Sequence, residues 1–208
     1  MIKIKICGLR RPEDIEAVNS FIPDYAGFVL VPGRRRHITH EQAAELKKQL
    51  SREIKAVGVF VDERREVIAG LLDRGVIDIA QLHGSETEED VLWIKERTGR
   101  SVIKAVSVKT ASDVRRWRRS AADFILADNG AGGSGRAFDW GLIQEAAQDG
   151  APPLFLAGGI NINNLDAALA LKPYAVDISG GVETDGAKDP ELIRKVINKV
   201  RRYDYEKR

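Results

Sequence analysis

Residues 2–21 read IKIKICGLRRPEDIEAVNSF, and the fold class turns on what stands at the middle of this stretch. Residues 2–7 alternate apolar and Lys side chains and stop at Gly8, the pattern of a strand that leaves its last side chain, Cys7, at its C-terminal mouth. Pro12, Glu13 and Asp14 then open a helix, with Ile15, Val18 and Phe21 along one face. A strand feeding a helix starts two architectures. An open doubly wound sheet brings a G-x-G-x-x-G into that first turn. Here Cys7-Gly8-Leu9-Arg10 stands in its place.

Outward from this unit the alternation persists to the C-terminus. Residues 25–31, YAGFVLV, form the near-continuous apolar run of a strand covered on both faces. Thr39 with Gln42 is a capping-box pattern for a helix to about Leu50. Further strands are expected at 54–61, 77–82, 102–106, 124–127, 154–157 and 175–179. Between them, Asp62 is expected to cap a helix to residue 73, Ser85 with Glu88 to box one to residue 97, and Asn161 to cap one to residue 171. Helical spacing also fills 111–119 and 140–148, and Asp189 with Pro190 starts the last helix. Alternating β and α demands a parallel sheet, and eight units are the count that closes a barrel. The expectation is an α/β chain, a single-domain (β/α)8 TIM barrel over residues 1–208.

The totals narrow the partners. Lys and Arg number 33 against 31 Asp and Glu, a formal net charge of +2, which speaks against nucleic acid or a membrane surface as the main partner. Arg115, Arg116, Arg118 and Arg119 surround Trp117 in a helical stretch and read as a solvated face. Cys7 is the only cysteine, so no internal disulfide forms. Lys3 and Lys5 fall where a signal peptide needs its apolar core, and no apolar run reaches the length of a membrane span. A cytoplasmic protein is expected, with its oligomeric state left open.

In such a barrel catalytic groups stand on the C-terminal strand ends, and phosphate commonly binds at the loops after strands seven and eight. Those ends carry Cys7, Arg36 slightly beyond the second strand, Asp62, His83, Asp128, the pair Gly158-Gly159 and the run Ser179-Gly180-Gly181. Each has two readings. Cys7 is a catalyst or a small buried hydrophobe. Arg36 is an anion ligand or a loop charge, and His83 a reactive group or a rim hydrogen bonder. Asp128 is an acid or a cap on the loop behind it. The glycines are tight turns or backbone cradles for a phosphate. The loop NGAGGSGRAFDW, residues 129–140, reads as a lid hinged through Gly130, Gly132, Gly133, Ser134 and Gly135, anchored at Phe138 and Trp140. A metal site is not expected, because His37 and His40 lie in a loop and a helix start and only His83 is on a strand end.

Seven segments carry a resemblance. KICGLR at 5–10, AGFVLVPGRRRHIT at 26–39, VGVFVD at 57–62, AQLHG at 80–84, GGSGRAFDW at 132–140, LAGGIN at 156–161 and VDISGGVE at 176–183, with GAKDP at 186–190, resemble the phosphoribosylanthranilate isomerase family of tryptophan biosynthesis. They run in order from the first strand to the last helix. The resemblance implies a ribulose-phosphate-binding barrel that carries out a cofactor-free Amadori rearrangement. N-(5-phosphoribosyl)anthranilate, a small phosphorylated substrate, becomes 1-(2-carboxyphenylamino)-1-deoxyribulose 5-phosphate. It further implies Cys7 as general base, Asp128 as general acid and Arg36 as the holder of the anthranilate carboxylate, with Asp177 and His83 in supporting positions. A thiolate base needs a positive field, expected from the substrate's iminium and from Arg36. Arg36 suits a carboxylate because its planar fork binds it bidentately.

Two positions depart from the family pattern: Arg34 replaces a usual serine, and Gly180 stands where a second serine is common. Two rivals stand beside this reading. Another phosphosugar isomerase or epimerase barrel would carry an acid in place of Cys7, or metal ligands on several strand ends. A silent phospholigand-binding regulatory barrel would not need Cys7, Asp128 and Arg36 together.

Overall fold

The computed structural model describes residues 1–110, 112–113, 119–128, 140 and 151–206. The glycine lid at 130–135, most of the expected helix at 111–119 and all but Trp140 of that at 140–148 lie outside the described residues.

Eight parallel strands close a barrel in chain order. They are β1 (Lys3–Cys7), β2 (Tyr25–Val29), β3 (Lys55–Phe60), β4 (Ile79–Leu82), β5 (Val102–Ser107), β6 (Phe124–Asp128), β7 (Leu154–Leu156) and β8 (Ala175–Ile178). The seam pairs β8 with β1, Lys3 opposite Ala175 through Ile6 opposite Ile178. Among the described residues, helices α1 (Pro12–Phe21), α2 (His40–Gln49), α3 (Arg65–Asp73), α4 (Glu88–Thr98), α5 (Leu165–Ala170) and α6 (Pro190–Glu206) alternate with these strands, as expected of a (β/α)8 barrel.

Strand periodicity sorts the side chains into two cores. Outward residues such as Ile4, Ile6, Phe28, Ala56 and Val176 meet the helices. Among those helices, α6 turns Ile193, Val196, Ile197 and Val200, all fully buried at helical spacing, into the same core. Each such side chain contributes roughly 1.5–3 kcal/mol of burial. Inward residues Tyr25, Val57, Ile79, Ile103, Leu126, Phe155 and Ala175 form a separate plug. In it the Phe155 ring meets Tyr25 at 5.2 Å and Phe124 and Tyr174 at 5.5 Å. Tyr25, Phe124 and Ala175 begin their strands, so the plug closes the N-terminal end. Two residues further along, the inward positions change character, to Lys5 and Cys7, Gln81, Asp128 and Asp177. The barrel is oily below, and its titratable inward side chains gather toward the C-terminal mouth.

The helix starts show where local sequence decides and where tertiary contacts override it. Thr39 and Gln42 form the expected box on α2, each side chain bonding the other's backbone N–H. Asp189 accepts from the N–H groups of Glu191 and Leu192 to start α6. Asp62, however, does not cap α3. Its φ is +53°, its carboxylate accepts from the Ser85 N–H and hydroxyl, and α3 begins at Arg65. Because Ser85 is so engaged, the box on α4 is Thr87 with Asp90 rather than Ser85 with Glu88. Asn161 instead accepts from the Asn163 N–H, and Asn164 is the N-cap of a shorter α5.

After β8 the chain adds a hairpin absent from the expected elements. β9 (Glu183–Thr184) runs antiparallel to β10 (Ala187–Lys188), with Lys188 opposite Glu183. Asp185 and Gly186 turn between them at φ +51° and +78°, the two left-handed residues that a tight hairpin turn requires.

Candidate active site

Cys7 ends β1 facing the barrel interior and is almost fully buried. It pairs in register with Gly27 of β2, and a Cβ on Gly27 would stand 2.6 Å from Cys7 Sγ. One layer below, Lys5 is wholly buried and donates to Asp177 Oδ1 at 3.0 Å across the seam. Burial works against the Lys5 ammonium, but Asp177 and Cys7 outweigh it and raise its pKa. Burial pushes the Cys7 thiol up, Lys5 and Lys188 pull it down, Asp177 adds to the rise, and the net shift is upward. Arg36 also interacts with Cys7, as expected, but Lys5 is the cation that acts most strongly on the thiol.

Arg36 follows β2 and lies across Gly8, where a Cβ would meet Arg36 Cδ at 2.3 Å. Gly8 has φ +83°, so close approach and backbone conformation both call for glycine there. The guanidinium is already engaged on one edge: Nε donates to Glu183 Oε1 at 2.6 Å and Nη2 to Oε2 at 2.9 Å. Glu183 also accepts from Lys188 Nζ at 2.8 Å and from Arg35. Burial would raise its pKa, but hydrogen bonds from Arg36 and Lys188 overcome that and hold it at about 2. Arg10 ties the arrangement together by donating to the carbonyls of Arg35 and Gly186.

Asp128 ends β6, and its Oδ2 lies 3.4 Å from His83 Nε2. His83 Nδ1 is 3.0 Å from Gln81 Nε2. With the amide N–H donating, Nδ1 is the acceptor and Nε2 carries the hydrogen that faces Asp128. The His83 loop is fastened by Glu86, which accepts from Asp62 N–H, Gly84 N–H and Lys104 Nζ.

The two expected phosphate loops sit side by side. Gly158 and Gly159 take φ +86° and +72°, and Asn161 bridges to Gly181. That contact is tight: a Cβ on Gly181 would lie 2.0 Å from the Ile160 carbonyl oxygen. Ser179 donates its hydroxyl to the Cys7 carbonyl at 2.9 Å, so its hydrogen closes the seam.

The contacts therefore gather Cys7, Arg36, Asp177, Ser179 and Gly180 in one group, His83 and Asp128 in a second, and Gly158, Gly159 and Gly181 in a third. All three ring the same mouth. Lys5, Gly27, Gln81, Glu183 and Lys188 were not singled out from the sequence. Lys5 had a signal, since it lies two residues before Cys7 on an alternating strand; Glu183 and Lys188 depend on a hairpin of two-residue strands too short for any periodicity. Among the described residues no group of three or more His, Cys, Asp or Glu could hold a metal ion.

The family model described as N-(5'phosphoribosyl)anthranilate (PRA) isomerase matches residues 4–199. An N-(5'-phosphoribosyl)anthranilate isomerase of Clostridium acetobutylicum is 42% identical over 208 residues, covering 98% of this chain and 100% of the relative. That of Acetivibrio thermocellus is 44% identical over 215 residues, covering 98% of each. The crystal structure of the phosphoribosyl anthranilate isomerase from Thermotoga maritima superimposes with a TM-score of 0.88 at 36% identity, over 97% of this chain and 99% of that one.

Proposed function

Since the chain belongs to the N-(5'-phosphoribosyl)anthranilate isomerase family, we propose that Cys7, Asp128 and Arg36 divide the reaction of that family among them. The protein is an aldose–ketose isomerase of tryptophan biosynthesis, converting N-(5'-phosphoribosyl)anthranilate to 1-(2-carboxyphenylamino)-1-deoxyribulose 5-phosphate. Asp128, as general acid, protonates the furanose ring oxygen and the ring opens to an iminium. The iminium acidifies the C2′ proton, and Cys7, its own thiol proton released to solvent as the cation forms beside it, removes the C2′ proton as the thiolate. The enolamine so formed tautomerises to the ketone, and the sequence of proton transfers balances without an external reductant.

The observation that supports this reading most is the change of polarity inside the barrel, which puts Cys7 and Asp128 at the ends of inward-facing rows above an apolar plug. Burial favours the Cys7 thiol while the site is empty of substrate, and Lys5, Lys188 and the cationic iminium act the other way, toward the thiolate that the base role needs. Arg36 holds the anthranilate carboxylate, and backbone N–H groups around Gly158, Gly159, Gly180 and Gly181 hold the phosphate. His83 orients Asp128, and Asp177 orients Lys5 beneath Cys7. Residues 1–208 act as one barrel domain, and a cytoplasmic location belongs to the same reading.

The test follows the fluorescence decay of substrate generated in situ with wild type, Cys7→Ala and Asp128→Ala. Turnover by the wild type, lost in both folded variants, is expected. A Cys7→Ala variant with wild-type kcat would remove the base assignment.

A further inference from the structure

Arg36 meets the substrate's carboxylate with one edge of its guanidinium already occupied. Glu183 takes Nε and Nη2 in parallel, and it is itself held from three sides, by Lys188, Arg35 and the β9–β10 ladder. The Glu183 side chain is 6% exposed and that of Lys188 1%. Displacing Glu183 would strand Lys188, a buried ammonium, with only the Ser179 carbonyl for a partner among its contacts here. The carboxylate therefore stays in place, and the guanidinium has a second parallel pair of donors, on Nη1 and Nη2, along its other edge.

We propose that Glu183 is a positioning residue that fixes Arg36 by its Nε–Nη2 edge and presents the Nη1–Nη2 edge to the aromatic carboxylate of the substrate. This rests on the assignment of Arg36 to that carboxylate. Lys188 keeps Glu183 seated through the cross-strand pair, so the hairpin after β8 sets selectivity for a carboxylated ring. Arg36 runs over Gly8 and beside Gly180, which leaves the guanidinium few other places to rest once Glu183 holds it.

The test compares inhibition by two stable compounds, the reduced product 1-(2-carboxyphenylamino)-1-deoxypentitol 5-phosphate and its phenylamino counterpart without the carboxylate. Wild type prefers the carboxylated compound. Arg36→Met abolishes the preference, and Glu183→Gln lowers it about tenfold, the scale of one charge-assisted hydrogen bond. In the Arg36→Met background, Glu183→Gln changes nothing more. With substrate, the KM of Glu183→Gln rises by more than its kcat falls. Glu183→Asp, which keeps the charge but withdraws it by a methylene, decides the matter should the Gln variant fail to fold, and it too must lose preference. If Arg36→Met leaves the preference intact, the Arg36 assignment fails. If Arg36→Met abolishes it while the Glu183 variants keep it, the positioning role alone fails. Tighter binding of the carboxylated compound to Glu183→Gln would make Glu183 a competitor of the substrate and would likewise overturn the proposal.

Discussion

Gly27 and Cys7 face each other across the β1–β2 ladder so closely that the absent side chain of one is the space filled by the thiol of the other. A methyl at residue 27 would have to push Sγ off its position, since the contact of 2.6 Å includes the thiol and the nearby Cys7 Cα stands at only 3.0 Å. Gly27→Ala should cost about 1–3 kcal/mol of stability through overpacking. It should cost kcat about a hundredfold, the usual scale for a reactive group displaced by about an ångström. Urea unfolding and steady-state turnover on the same preparation separate the two effects, and an alanine variant with unimpaired kcat would show that the thiol does not need its present place.

The state of that thiol can be read directly, because Cys7 is the only cysteine in the chain. Burial holds its pKa above the ordinary 9.0 despite Lys5 and Lys188. The rate of alkylation by iodoacetamide in substrate-free enzyme should therefore rise with pH to a midpoint above that value. Removing Lys5 together with its partner, as Lys5→Met/Asp177→Asn, should move the midpoint further up, since the Lys5 effect on the thiol exceeds that of Asp177. A midpoint at or below an ordinary thiol's would contradict the burial argument.

Acid should weaken the fold through Glu183. Its carboxyl is held at about 2 in the folded chain against an ordinary 4.5. A depressed carboxylate adds stability above its unfolded pKa and loses it as pH falls through the folded one. The contribution is about 3 kcal/mol in all, of which about two-thirds is gone by pH 3. Unfolding free energies at pH 6 and pH 3 should thus converge in Glu183→Gln relative to wild type.

Adjacent glycines in the β8 loop should respond oppositely to serine. Gly180 does not use a left-handed φ, and a Cβ there meets only the flexible Arg36 Nη2 at 3.3 Å. Gly180→Ser should change stability by no more than about 0.5 kcal/mol. Gly181 faces backbone, 2.0 Å from the Ile160 carbonyl, and Gly181→Ser should part the two loops and raise KM through the phosphate. Melting temperature and KM for both variants check this, and equal behaviour of the pair would count against the loop geometry.

The barrel was legible because it is written eight times over. Strand and helix periodicities repeat along the chain, and an error of two residues at one end, as at β4, leaves the count intact. Cys7 and Asp128 could be named from the sequence because a strand end, once the strands are placed, names its last inward side chain, whereas Arg36, beyond the end of β2, was named by the resemblance. What escaped was set by contacts between distant segments. Asp62 looks like a helix cap in its own neighbourhood, and only the Ser85 hydroxyl 23 residues away redirects it. Glu183 and Lys188 look like two charges in a loop until a two-residue turn sets them face to face and Arg36 arrives from 147 residues upstream. Lys5 alternates with isoleucines as a surface lysine would, and its place two residues before Cys7 was the one sign of the interior position that closure of the barrel gives it.

The seam between β1 and β8 joins the first strand of the barrel to the last, and the Cys7 cluster straddles it. Lys5 meets Asp177 there, Ser179 meets the Cys7 carbonyl and Glu183 meets Arg36, each pair drawn from opposite ends of the sequence. During synthesis these pairs therefore stay open until the last βα unit emerges and docks. Cys7, Lys5 and Arg36 are made first and Asp177, Ser179, Glu183 and Lys188 last, so the surroundings of the thiol are complete only when the ring closes.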